Sequence, residues 1–348
     1  MIACRDVATR RASLDPIDHV LALDLGGRGV AGFFVPGGAL SAARALRRAR
    51  RALIVTGFCV PPGVPETDGP PGAAVLGHAL GVLGVEVRYL TDPAAVPPLE
   101  AALKAVEAAA NIEVYPEDAD AGALLARARP THLIAIERPG RARSGDYLSA
   151  RGESIAAWNR PIDELFLLAA KTARQRTQPP SNRPPTVQAG LAPPATTIAR
   201  GSARRFKGTR PVTIAVGDGG NEIGMGNVRS LLAREGRLMA RIASVVRVDY
   251  VVVAGTSNWG AYGIVAGLQR LTGRPLLHTQ TIERRLVEAC VEAGAVDGLT
   301  RLGTPTVDGM SLDIHTAVVE LLRLAAPAPA ERRASMGRGA ESSMMEAP

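Results

Sequence analysis

Val212-Thr213-Ile214-Ala215-Val216-Gly217-Asp218-Gly219-Gly220-Asn221-Glu222-Ile223-Gly224-Met225-Gly226-Asn227 joins a compact apolar run to a loop with five glycines in its last eleven positions. An apolar run of that length, closed by turn residues, has the pattern of a buried strand, and helical spacing resumes near Ile223. The order strand, glycine loop, helix recurs on both sides of this stretch. Downstream, an extended run at 250–254 leads through a Gly/Ser/Asn turn to a helical segment at 261–271. Upstream, extended runs at 52–56, 85–90, 112–115 and 132–136 alternate with helical segments at 72–83, 98–110, 119–129 and 161–173. Further helices are expected near Ser13 or Asp15, with Pro16 in the first turn, and at 39–50, 282–293 and 310–324. Strands that are apolar on both sides need cover on both faces. The fold class is therefore α/β: a mostly parallel, doubly wound sheet with helices on both faces, in one large domain. In such sheets, ligands meet the loops beyond the carboxyl ends of the strands.

Composition narrows the function classes. Apolar residues make up 46% of the 348, enough for a sizeable core without staples. The three cysteines, Cys4, Cys59 and Cys290, have neither disulfide-scaffold nor zinc-site spacing. The net charge of +8 is local: residues 171–210 hold nine Lys or Arg and no Asp or Glu, leaving −1 for all the rest. That stretch is also rich in Pro, Ser, Thr and Gln. Residues 176–209 are read as a disordered insertion in a domain spanning 13–325, with tails at 1–12 and 326–348. With twelve aromatics in all, a dedicated nucleic-acid groove is not expected. No apolar run approaches the roughly 20 residues that span a bilayer, and residues 1–11 do not resemble a secretion signal. A cytoplasmic enzyme of a small molecule is expected, with homo-oligomerisation left open.

Four strand-end loops carry the candidate chemistry. The first, Pro65-Glu66-Thr67-Asp68-Gly69-Pro70-Pro71-Gly72, holds two carboxylates in a proline-braced loop ahead of a helix. Glu66 and Asp68 suit proton transfer or the holding of a cation or amine; alternatively, Thr67 or Asp68 caps the next helix. In the second, Glu137 extends an apolar strand and must be paired or face a cleft. Arg138 could clamp a carboxylate in a two-pronged hydrogen bond, or the two could be structural ion-pair members. In the third, Asp218, Asn221 and Glu222 stand among glycines whose amides, around Gly219 and Gly220, can form an anion-binding nest at a helix start. The spacing matches neither the dinucleotide fingerprint nor a Walker loop. In the fourth, Ser257 and Asn258 offer small hydrogen-bonding groups or a helix cap. No Gly-x-Ser-x-Gly elbow is present, so a Ser-His-Asp hydrolase is disfavoured. Of the five histidines, only His278 is placed to approach the cleft, and Cys59 reads as a small buried hydrophobe.

At these loops the sequence resembles the D-glutamate cyclase family, namely the domain found at the carboxyl-terminal end of a two-part mitochondrial enzyme and in stand-alone bacterial proteins. The matching stretches are TGF at 56–58, PETDGPPGA at 65–73, IERPGRA at 136–142, GDGGNEIGMGN at 217–227, AGTSNWGAYG at 254–263, AGAVDGLT at 293–300 and VDGM at 307–310. The insertion at 176–209 is long for that family. The resemblance implies a lyase that converts D-glutamate to 5-oxo-D-proline with loss of water. On that footing Glu66 or Glu222 would be the base, Asp218 or Glu137 the acid, and the amides of Gly219 to Asn221 the oxyanion donors. Arg138 would hold the α-carboxylate. No cofactor is fixed by the sequence; a divalent cation, Mn²⁺ or Mg²⁺, suits the oxygen-rich loops. Other readings of the same loops are a metal-assisted lyase or hydrolase, a phosphate-binding enzyme, and a non-catalytic small-acid-binding subunit.

Overall fold

A computed structural model of the chain describes residues 15–177 and 210–327. Of the insertion read at 176–209, residues 178–209 lie outside the described residues, as do 1–14 and 328–348.

Six parallel strands form the central sheet: β1 (Arg51–Thr56), β2 (Glu86–Thr91), β3 (Ile112–Val114), β4 (His132–Ile136), β5 (Val212–Gly217) and β6 (Tyr250–Val253). Their spatial order is β3-β2-β1-β4-β5-β6. The chain therefore starts mid-sheet, runs to one edge, and returns to build the other half from β4. The order reverses between β1 and β4, where the crossovers to either side part and leave a crevice. Register places the strand ends together: Thr56 lies opposite Ile136, Ile136 opposite Val216, and Gly217 opposite Val253.

Period-two alternation divides the strand residues between two cores. Ile54, Ile134, Ile214 and Val252 face a large core with the helices Gly38–Leu46, Pro70–Val82, Val96–Ala105 and Ser257–Thr272. Leu53, Val55, Leu133 and Ala215 face a smaller one with Ala121–Ala128 and Glu164–Thr177. Each fully buried Val, Leu or Ile contributes about 1.5–3 kcal/mol, so the sheet is fixed from both sides. Asp15 caps the first helix, Pro16–Leu21, through the amide of Ile17 at 3.0 Å.

The α/β expectation holds, with local corrections. The helix read at 161–173 runs over Glu164–Thr177, two residues into the stretch assigned to the insertion. No helix begins at Ile223. Gly220 and Gly224 adopt φ of 95° and 97°, left-handed values that interrupt a right-handed helix, and a 3₁₀ turn at Met225–Asn227 and two short helices, Arg229–Leu232 and Arg237–Ile242, follow instead. Two short ribbons flank the crevice. One pairs Cys59–Val60 with Val64–Pro65; the other pairs Thr306–Val307 with Met310–Ser311 around Asp308 and Gly309, both with positive φ, as a tight hairpin turn requires.

Candidate active site

The loops leaving β1, β4, β5 and β6 meet at the crevice, joined by two segments far away in sequence: residues 24–29 and residues 296–309. The β1 loop is tied to the second of these by a parallel bridge between Glu66 and Val296. The Thr67 amide donates to the carbonyl of Val296 at 2.9 Å. Gly298 packs so closely on Glu66 that an added Cβ would lie 2.1 Å from its Oε2.

The capping reading of Asp68 holds, but for a different helix. Its carboxylate accepts from the amides of Ser257 and Asn258, both at 2.8 Å, at the start of Ser257–Thr272. Asn258 does the same in reverse: its Oδ1 accepts from Gly69 and Gly72 at 3.0 and 2.8 Å, at the start of Pro70–Val82. The two loops thus close each other's helices, so Asn258 is a framework residue and not a free substrate contact. Thr256 provides the local cap of Ser257–Thr272, and the Ser257 hydroxyl donates to Glu137 Oε2 at 2.6 Å.

Glu137 is buried, with a left-handed backbone (φ 42°) that ends β4. Its neighbour Arg138 departs from the sequence reading. The guanidinium is fully buried between loops and donates to Asp92, to the carbonyl of Gly57 at 2.8 Å and to that of Arg160 at 2.6 Å. Its donors hold the β1 and β2 loop ends together, and it does not line the hollow as a substrate clamp.

The glycine nest also exists, but it is filled. Glu222 folds back so that the amides of Gly219 and Gly220 donate to its two carboxylate oxygens, each at 2.8 Å. Those amides are therefore not free for an oxyanion, and Glu222 acts first as the brace of its own loop. Asn221 Nδ2 donates to the carbonyl of Leu148 at 2.7 Å.

Asp218 is reached by a residue that the sequence reading missed. Arg28 Nη1 donates to Asp218 Oδ1 at 3.2 Å, and Arg28 Nη2 pairs with Asp308 Oδ1. Oδ2 of Asp218 and of Asp308 is buried in both cases without a hydrogen-bond partner. Oxygens of Asp68, Asp218 and Asp308 lie within 4.8 Å of one another, as do those of Glu137, Asp218 and Glu222. Two carboxylates at that separation repel by about 3.5 kcal/mol at an effective dielectric constant of about 20. Arg28 offsets part of this repulsion at Asp218 and Asp308, and a second cation would offset more. Burial raises the pKa of Glu66, Glu137, Asp218 and Glu222, and that of Asp68 to about 7. After burial, Asp308 is the largest further cause for Glu66 and Asp68, and Glu222 for Glu137; at Asp218, Arg28 opposes the rise.

Sequence-predicted Glu66, Glu137, Asn221 and Glu222 line one hollow, with Asp68 and Asp218 grouped against it; Arg28, Arg301 and Asp308 complete its wall. Two signals for the missed residues were present: Arg28 stands among Gly26, Gly27 and Gly29, and Asp308-Gly309 between Val307 and Met310 is a tight-hairpin signature. His278 lies elsewhere, bonded to Glu283 at 2.8 Å. Cys59 is buried, and its thiol is pushed up to about 12 by desolvation, which suits a packing residue.

Fold and site define the class: a doubly wound α/β protein with a buried carboxylate cluster at the switch point of its sheet. The chain belongs to the D-glutamate cyclase-like, C-terminal family, whose pattern matches residues 17–178 and 201–323. It is 32% identical over 277 residues to the mitochondrial D-glutamate cyclase of Homo sapiens, a match covering 72% of this chain and 38% of that protein. Among solved structures, RecJ of Thermus thermophilus in complex with Mn²⁺ and exonuclease RecJ bound to manganese align at 12% and 11% identity with TM-scores of 0.31 and 0.35. These cover 81% and 86% of this chain, and 26% and 64% of theirs. No helix among the described residues is long and apolar enough to cross a membrane.

Proposed function

We propose that this chain is a lyase that closes D-glutamate to 5-oxo-D-proline with loss of water. What supports the reading is family membership joined to one observation: buried carboxyls with raised pKa values line a hollow at the switch point. The relative's activity belongs to a protein of which this chain spans 38%, so its transfer here is part of the proposal.

The reaction forms a C–N bond between the amine and the side-chain carboxyl carbon and breaks a C–O bond. Two protons leave the ammonium nitrogen and depart with the carboxyl oxygen as water, so no external reactant is needed. The chain must hold the folded conformer, take protons from nitrogen and deliver them to oxygen. Glu66 is the base: it lines the hollow, and burial, Asp308 and Asp68 raise its pKa, which makes its carboxylate a stronger proton acceptor. Glu137, whose pKa is raised by burial and then by Glu222 and whose Oε2 is positioned by the Ser257 hydroxyl, is the acid that serves the leaving oxygen. Arg28, in the wall of the hollow, offsets the charge of Asp218 and Asp308 and so lessens their repulsion of the oxyanion that forms in the tetrahedral intermediate.

The same wall fits a hard divalent ion, because Asp68, Asp218 and Asp308 offer only oxygen and two of their oxygens are buried without partners. Mn²⁺ or Mg²⁺ held by these three would polarise the carboxyl under attack. The test is incubation of the purified protein with D- and L-glutamate, with Mn²⁺ and after exhaustive chelation, followed by measurement of 5-oxoproline. Product from D-glutamate that is lost in Glu66→Gln is expected. No product under any of these conditions overturns the reading.

A further inference from the structure

We propose that Arg301 is the residue that recognises the substrate's α-carboxylate. This rests on the cyclase reading and assigns the role for which Arg138, fully buried and outside the lining of the hollow, is not placed. Of the arginines near the cluster, Arg138 turns both terminal nitrogens to Asp92 and two carbonyls, and its unpartnered Nε lies outside the lining of the hollow, while Arg28 is occupied by Asp218 and Asp308. Arg301 lines the hollow, and its Nη1 is buried with no hydrogen-bond partner. A buried guanidinium nitrogen without an acceptor is costly in a finished core and is what a site for an anion presents before its ligand arrives.

The backbone around Arg301 is built to hold it there. Asp297, fully buried, accepts from the amides of Leu299 at 2.9 Å, Thr300 at 2.8 Å and Gly309 at 2.7 Å, while its carbonyl accepts from the Arg301 amide at 2.9 Å. One carboxylate thus ties the turn that carries Arg301, itself left-handed at φ 65°, to the hairpin that carries Asp308. Glu66 is the charge that acts most favourably on Arg301. That neighbour fits the chemistry. The amine and the α-carboxylate share one carbon, so the base for the first and the cation for the second must stand side by side.

The α-carboxylate keeps its charge from substrate to product, so Arg301 holds ground state and transition state alike. Its loss raises KM and leaves kcat nearly alone. The experiment is a cycle between enzyme and substrate: wild type and Arg301→Met, each with D-glutamate and with D-isoglutamine, whose α-carboxyl is an uncharged amide. Steady-state 5-oxoproline or lactam formation and calorimetric binding are both read. Arg301→Met is expected to raise KM and Kd for D-glutamate about 10- to 100-fold, the range for a lost charged hydrogen bond, and to shift those for the amide less than about threefold. Arg301→Lys, which keeps charge without the fork, is expected to fall between and serves if the methionine variant does not fold. Equal shifts for the two substrates, or none, overturn the assignment while leaving the cyclase reading intact. Arg301-dependent binding of D-glutamate without turnover leaves the assignment standing and overturns the cyclase reading. Failure of the wild type to bind or convert either compound overturns both.

Discussion

Gly298→Ala turns the contact between two distant loops into a measurement of Glu66. A methyl at Gly298 would sit 2.1 Å from Glu66 Oε2, whereas ordinary contact begins near 3.4 Å. The carboxylate must therefore retreat by about 1.3 Å, and a misplacement of about 1 Å at a reacting group costs on the order of 100-fold in rate. The fold should tolerate the change. Gly298 has no positive φ, and the clashing atoms belong to the end of a flexible side chain, so the cost falls toward the lower end of the roughly 1–3 kcal/mol usual for an added methyl. Initial rates of 5-oxoproline formation with saturating D-glutamate are expected to fall about 100-fold, with a urea midpoint close to wild type. Gly303→Ala is the control in the same segment, because an added Cβ there meets nothing within 4 Å. A Gly298→Ala enzyme with wild-type kcat would refute the reasoning, since Glu66 would then have moved away from its place without consequence.

Asp68→Ala and Asn258→Ala each remove the acceptor for two buried helix-start amides and are expected to cost about 1–2 kcal/mol in urea unfolding. The double variant should cost less than the sum, because both caps hold one junction. Arg138→Met leaves the fully buried partner Asp92 without its cation and is expected to lose about 3–5 kcal/mol, read as a large fall in Tm. A change in KM with wild-type stability would restore the clamp reading. The raised pKa of Asp68, about 7 against 3.8, means that the folded state binds more protons than the unfolded chain between those values. Its contribution to stability is complete below about pH 4 and is lost as pH rises through about 7. Urea midpoints measured without added divalent ions should therefore decline from pH 5 to pH 7; a rise over that window attributable to Asp68, tested with Asp68→Asn, would contradict the burial argument.

Much of the framework was legible along the chain, because strands buried on both faces leave continuous apolar runs and their glycine- and proline-rich ends leave punctuation. β4 is found where the pattern put it, at His132–Ile136, and the four loops named as candidates do converge. The partners within those loops were not legible. Asp68 was expected to cap the helix that follows it, and it caps one that begins 189 residues later. The nest of Gly219 and Gly220 was expected to face a ligand, but the carboxylate of Glu222, three residues on from the first, reaches it first. Arg28 and Asp308 were not singled out as site residues because neither follows a strand of the central sheet. Their importance appears only when segments from the two ends of the chain fold over the crevice.

By itself, the amino-acid order determined the six central strands and most of the helices between them, and hence a doubly wound sheet with its polar loops on one rim. These are consequences of local propensity and apolar period. Tertiary structure alone decided which acids face one another, which arginine is buried in the framework and which lines the hollow. Such outcomes depend on side-chain distances of a few ångströms between residues hundreds of positions apart, and local sequence pattern carries no record of those distances.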